Sequence, residues 1–197
     1  MKFTRLVSFV AAIVSTSVLV AATPVPSPPP SYDHCSGCNY GEQTLSLVTK
    51  LQVEVSKTLI LLDDCHNTGS DPTDLFIQLA TNVDQCNSAV AAVGVDGSNP
   101  DVKASIQIQV SDIAAEIILD ISTGCSKFQN VKIENFNYIA LSAKIDATLK
   151  GLCVSLNVLI QGFIKHVSSI CLPKTAILLA ANLKACLSIL ANFSLIF

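Results

Sequence analysis

Five side chains in the first third of the chain could hold a metal ion: His34, Cys35 and Cys38 in the run His-Cys-Ser-Gly-Cys, then Cys65 and His66. Thiolate and imidazole ligands in such numbers suit structural zinc, and Cys35-Ser36-Gly37-Cys38 also has the spacing of a redox pair. A thioredoxin-like site needs a β-α-β setting, which this sequence lacks. Zinc must compete with oxidation, and the chain opens with a secretion signal that would carry it to an oxidising compartment. The eight cysteines (Cys35, Cys38, Cys65, Cys86, Cys125, Cys153, Cys171 and Cys186) are therefore expected in disulfides. No metal and no cofactor is expected.

Other chemistries find less support. Asp112, Glu116 and Asp120 recur every four residues, so one helical face carries three carboxylates. Such a ladder could hold a hard cation weakly, but the di-metal bundle signature Glu-x-x-His is missing, and a solvated outer face is the reading adopted. The three histidines, His34, His66 and His166, stand in no nucleophile or metalloprotease motif. The expectation is a protein that is not an enzyme. Asn192-Phe193-Ser194 is a glycosylation sequon, placed unfavourably beside an apolar residue.

The signal itself is plain. Lys2 and Arg5 precede an uncharged apolar stretch from Leu6 to Ala22, with small residues before Thr23-Pro24. Residues 1–22 are read as a signal peptide and 23–41 as a Pro/Ser-rich spacer with a cysteine-bearing lead-in. Residues 42–197 form a single helical domain. The mature chain carries ten lysines, no arginine and 15 acidic residues, a net charge of −5. Without guanidinium forks, and with a net negative surface, it has no means of gripping nucleic acid.

The elements that position these residues are helices. Leu45, Val48, Leu51, Val55, Leu59 and Leu62 mark one helical face. Asp71-Pro72 caps a second helix with Leu75, Leu79, Val83, Cys86, Val90 and Val93 inside. Asn99-Pro100 repeats the signal for a third, with Val102, Ile106, Val110, Ile113, Ile117 and Ile121. A long period from Glu134 to Cys171 is expected to break near Lys150-Gly151, and a last helix starts near Thr175. The fold class is all-α, a disulfide-stapled antiparallel bundle of five to six helices. Helices one and three both close on Leu-Asp…Cys (Leu62-Asp63-Asp64-Cys65 and Leu119-Asp120…Cys125), which admits an internal duplication. In an up-and-down bundle, Cys65, Cys125 and Cys171 share the bottom. Cys65 is then expected to pair with Cys125 or Cys171, and Cys35 or Cys38 with Cys86, Cys153 or Cys186.

Charge is uneven along the chain. Every carboxylate side chain lies at or before Asp146, and residues 151–197 carry only Lys165, Lys174, Lys184 and His166. Either these last helices form the centre of the bundle, or a lipid-like ligand, an apolar surface or a second subunit covers them. The functional expectation is a non-enzymatic secreted binder of a lipid-like ligand or apolar surface, lined by Leu152, Leu156, Leu159, Phe163, Leu179, Leu183 and Leu190. The alternative is an effector or cell-wall protein acting on a protein partner through its acidic face. Membrane contact is allowed, but not spanning, because uncharged runs are too short. The apolar tail Ala185–Phe197 could be a lipid-anchor signal, but its removal would delete Cys186 and leave an odd cysteine count.

This layout of signal, Pro/Ser spacer and a Trp-free helical domain resembles the small secreted cysteine-containing proteins of filamentous fungi. The helical hydrophobic-surface-binding proteins of fungi are similar in length and apolar composition, though eight cysteines exceed what that group would suggest. The adjacent Cys-Cys pairs of hydrophobins are missing. The resemblance implies a secreted helical protein and assigns no residue a role.

Overall fold

Asn39 starts the first helix, accepting from the Glu42 amide at 2.9 Å while the Glu42 carboxylate takes the Asn39 N–H at 3.4 Å. This reciprocal cap satisfies two amides that a helix start leaves orphaned. The structure, a computed structural model, describes residues 39–95 and 102–194. The signal segment, the proline-rich spacer, His34, Cys35, Cys38 and the Asn99-Pro100 cap lie outside them.

The described residues form seven α-helices: α1 (Tyr40–Thr68), α2 (Thr73–Val95), α3 (Ala104–Ser126), α4 (Tyr138–Leu159), α5 (Phe163–Cys171), α6 (Thr175–Ala180) and α7 (Lys184–Ser194). A 3-10 turn, Leu172–Lys174, joins α5 to α6. Asp71 takes the Thr73 amide at 2.9 Å, but the helix starts one residue later than the sequence suggests: Pro72 precedes it and its carbonyl accepts the first helical bond, from Phe76 at 3.0 Å. The apolar stripes of α1, α2 and α3 all turn inward. Val48, Leu51 and Leu62 meet Leu79, Val83 and Val90, with Val110, Ile117 and Ile121, in one buried cluster. The β-branched stretch Ile106–Val110 is helical, because its burial follows the helical period.

Contacts between helices fix their directions. Gln52 meets Glu116 and Asp63 meets Lys127, so α1 and α3 run the same way. Phe76 meets Tyr138 and Asn87 meets Ser155, so α2 and α4 also run together, in nearly the same register. Asp112 with His166 and Ala115 with Cys171 align α5 with α3. Asn182 against Ser142 and Cys186 against Asp146 align α7 with α4. The helices thus form two rows of parallel neighbours, α1, α3 and α5 in one and α2, α4 and α7 in the other. Around the bundle, α1 packs on α2, α2 on α4, α4 on α7, α7 on α5, α5 on α3 and α3 back on α1. Six helices close a ring around the core.

Two breaks differ from expectation. Helix α4 runs through Gly151 unbroken. A Cβ there would lie 3.1 Å from Asn87 Nδ2, so this glycine serves the close approach of α2. The chain turns instead at Gly162, whose φ of 74° is left-handed and costs a side-chain-free residue nothing. The last segment also splits in two at Asn182, φ 61°, a conformation asparagine tolerates better than most residues.

The cysteine expectation meets a different picture. Each of the six described cysteines is buried in its own helix, and none is bonded to another. The disulfide staples are therefore not shown among the described residues. Cys171 does not reach the bottom: it faces the Ala115 carbonyl, and Cys125 lies ten residues further along α3, about 15 Å away along the axis. The short α5 ends at mid-height, which removes Cys171 as a partner for Cys65. Cys86 points its thiol at the Leu47 carbonyl in the upper half of α1.

Candidate functional site

The residues expected to line a ligand site are mostly core. Leu156, Phe163, Leu183 and Leu190 are fully buried, Leu152 nearly so, and Leu159 packs against the cluster. Only Leu179, on α6, is half exposed, at 49%. The helical period that selected these positions also seats them against neighbouring helices: α4 on α2 and α7, α5 on α3 and α7.

The outer side of the same segment is unusual in another way. Val158 is 78% exposed and Val154 47%, one turn apart on α4. Gln161 and Gly162 continue the exposed line, and between Lys150 and Lys165 the chain carries no charge. At the same level on the parallel α2, Ala91 and Ala92 are also exposed. The result is a small, charge-free, partly apolar face at the junction of α2 and α4.

A second feature comes from the α3–α4 connection, which sequence reading passed over. Asn137 caps α4 by accepting the Ala140 amide at 3.1 Å, and Asn135 takes a left-handed φ of 64°. These two asparagines hold Phe136 against Phe76, Phe128 and Tyr138, with centroids 5.3, 6.0 and 6.3 Å away. His66 joins edge-on to Phe128 at 5.4 Å. Outside this aromatic knot lies an open cleft of about 540 Å3 lined by Gln129, Asn135, Phe136, Asn137, Tyr138 and Ile139. The Tyr138 hydroxyl donates to the Ala180 carbonyl at 2.9 Å, and burial pushes the phenol well above its usual range. The cleft therefore offers amides and ring edges but no free nucleophile or base. The alternation Asn135-Phe136-Asn137-Tyr138 was the available signal in the sequence.

The carboxylate ladder is split among separate partners. Asp112 meets His166 Nε2 at 2.7 Å, and Glu116 accepts from Gln52 Nε2 at 2.7 Å. Burial first, then the neighbouring Glu116, raises the Asp120 carboxyl above its ordinary value, while Lys174 opposes the shift. Among the described residues no cluster of three metal-type ligands forms. Asn192 stands exposed on α7, its amide 3.5 Å from Ser188 Oγ.

One carboxylate has a defined task. Asp146, 6% exposed on the inner face of α4, accepts from the Ala185 amide at 2.7 Å and the Cys186 amide at 2.8 Å. It caps α7 from a different helix, satisfying orphan N–H groups and the positive end of that helix together. No protein-family model matches this chain, and no curated protein matches it.

Proposed function

We propose that this chain is a secreted, non-enzymatic helical protein that binds an apolar surface through the face around Val154 and Val158. The supporting observation is the pairing of two exposed valines with a stretch from Lys150 to Lys165 that holds no charge. Burial of the expected lining residues favours a surface over an enclosed lipid-like ligand. The apolar leader ahead of a Pro/Ser spacer supports secretion, and eight cysteines fit disulfides made there. The test is adsorption of the purified protein to alkyl-coated beads. Placing lysine at both positions (Val154→Lys with Val158→Lys) should weaken adsorption about tenfold, the worth of roughly 1.4 kcal/mol of apolar burial. Equal adsorption by wild type and variant, with helicity unchanged by circular dichroism, would reject this face.

A second reading is favoured by the packed interior: an effector or cell-wall protein that meets a protein partner through the acidic helices α1 to α3. Binding of that kind weakens as salt is added, whereas apolar adsorption does not.

A further inference from the structure

We propose that the open cleft at the α3–α4 connection is a binding site for neutral carbohydrate, held by the side-chain amides of Gln129, Asn135 and Asn137 together with the carbon surface of Phe136 and Ile139. Its volume of about 540 Å3 falls within the range of small-molecule sites, about 300–1,000 Å3. No charged side chain lines it. Asn137 is oriented by accepting the Ala140 amide at 3.1 Å, and its two N–H donors have no partner among the described residues. Gln129 and Asn135 are exposed, and their side chains make no hydrogen bond to another described residue. Each therefore offers two donors and an acceptor. Beside these amides stand Phe136, half-buried in the aromatic knot, and Ile139, 72% exposed.

This mixture of groups selects one class of ligand. An ionic ligand would leave water without meeting a counter-charge, because Lys132 and Glu134 belong to the same connection but not to the lining. A hydrocarbon chain would strip water from the amides and return no hydrogen bond. Sugar hydroxyls both donate and accept, as the amides do, and the C–H faces of a pyranose ring supply the apolar contact that Phe136 and Ile139 can use. Tyr138 contributes only its ring, since its hydroxyl is committed to the Ala180 carbonyl at 2.9 Å. The backbone of the site is already ordered. Asn135 holds its left-handed φ of 64°, the Phe136 amide donates to the Ile133 carbonyl at 3.3 Å, and the Phe136 ring packs on Phe76 and Phe128. A ligand therefore meets a surface with little left to order on binding.

The site is independent of the Val154–Val158 face, which lies at the other end of α4. The test is titration of nitrogen-15-labelled protein with oligosaccharides of chitin, of glucan and of mannan, followed by NMR. At least one of the three is expected to shift the side-chain amide signals of Gln129, Asn135 and Asn137, equally at low and high salt. Two variants separate recognition from folding. Gln129→Ala alters an exposed side chain, and Asn135→Gly keeps the left-handed turn while removing its amide. Each should weaken binding about tenfold, the worth of one or two lost hydrogen bonds. The double variant Val154→Lys with Val158→Lys should bind sugar as wild type does. No shift with any of the three oligosaccharides, shifts confined to other parts of the molecule, or Gln129→Ala and Asn135→Gly binding as tightly as wild type, overturns the proposal.

Discussion

Replacing Asp146 with alanine removes one carboxylate and strands two amides at the head of α7, both held at under 3 Å in the wild type. A hydrogen bond to a charged acceptor is worth about 1.5–3 kcal/mol, and a lost helix cap about 1 kcal/mol. The two bonds share one acceptor, and the vacated volume lets water reach the amides, so the loss is less than twofold additive. We expect about 3 kcal/mol for Asp146→Ala, which in a domain of this size lowers the midpoint of thermal unfolding by roughly 6–12 °C. Asp146→Asn keeps one carbonyl oxygen as acceptor and should lose about half as much. The measurement is urea or thermal unfolding followed by circular dichroism, with wild type and variants in the same thiol state. Hydrogen exchange at Ala185 and Cys186 should accelerate in the alanine variant well before exchange in α1 does. A loss below about 1 kcal/mol, or asparagine as damaging as alanine, would refute the view that this carboxylate anchors α7.

Two further substitutions probe other parts of the bundle. Phe76→Ala empties a fully buried site whose ring meets Phe128, Phe136 and Tyr138 edge-on, and should cost about 3–5 kcal/mol in equilibrium unfolding. Asp120→Asn should act with the opposite sign. Because the folded state raises this carboxyl, the native protein binds the proton more tightly than the unfolded chain, and ionised Asp120 costs stability as pH climbs above its ordinary 3.8. The asparagine variant should be slightly more stable at neutral pH and indistinguishable at pH 3, as pH-dependent unfolding would show. The gain is small because Asp120 is only partly shielded by its neighbours, and solvent still reaches the residue.

The helices were legible because their inner faces repeat with little interruption. Leu75, Leu79, Val83, Cys86, Val90 and Val93 were read as one face of α2, and all six are buried. Breaks were harder, since a glycine in sequence does not say why it is small. Gly151 lets Asn87 approach, while Gly162 supplies a left-handed turn, and only the packed neighbours tell them apart. Asp146 read as the last acid of the chain, although its place between Ile145 and Leu149 on an apolar face marked it as buried. The scarcity of charge after it has a simple physical source. Inner faces there are packed, and outer positions are filled by neutral polar groups such as Ser155, Asn157, Gln161, Ser169 and Asn192. The aromatic knot stayed hidden because its rings come from α1, α2, the α3–α4 connection and α4, and no single stretch of sequence displays them together.

The closed ring of helices also has an order in time. Helix α7 bridges α4 and α5, and it leaves the ribosome after every other described helix. Until it docks, the inner faces of α4 and α5, with Leu156, Phe163 and Val167, lack their final cover. A nascent chain halted before Lys184 would therefore present an oily groove, a natural target for chaperones and proteases. That groove closes when the Ala185 and Cys186 amides reach the Asp146 carboxylate and α7 docks.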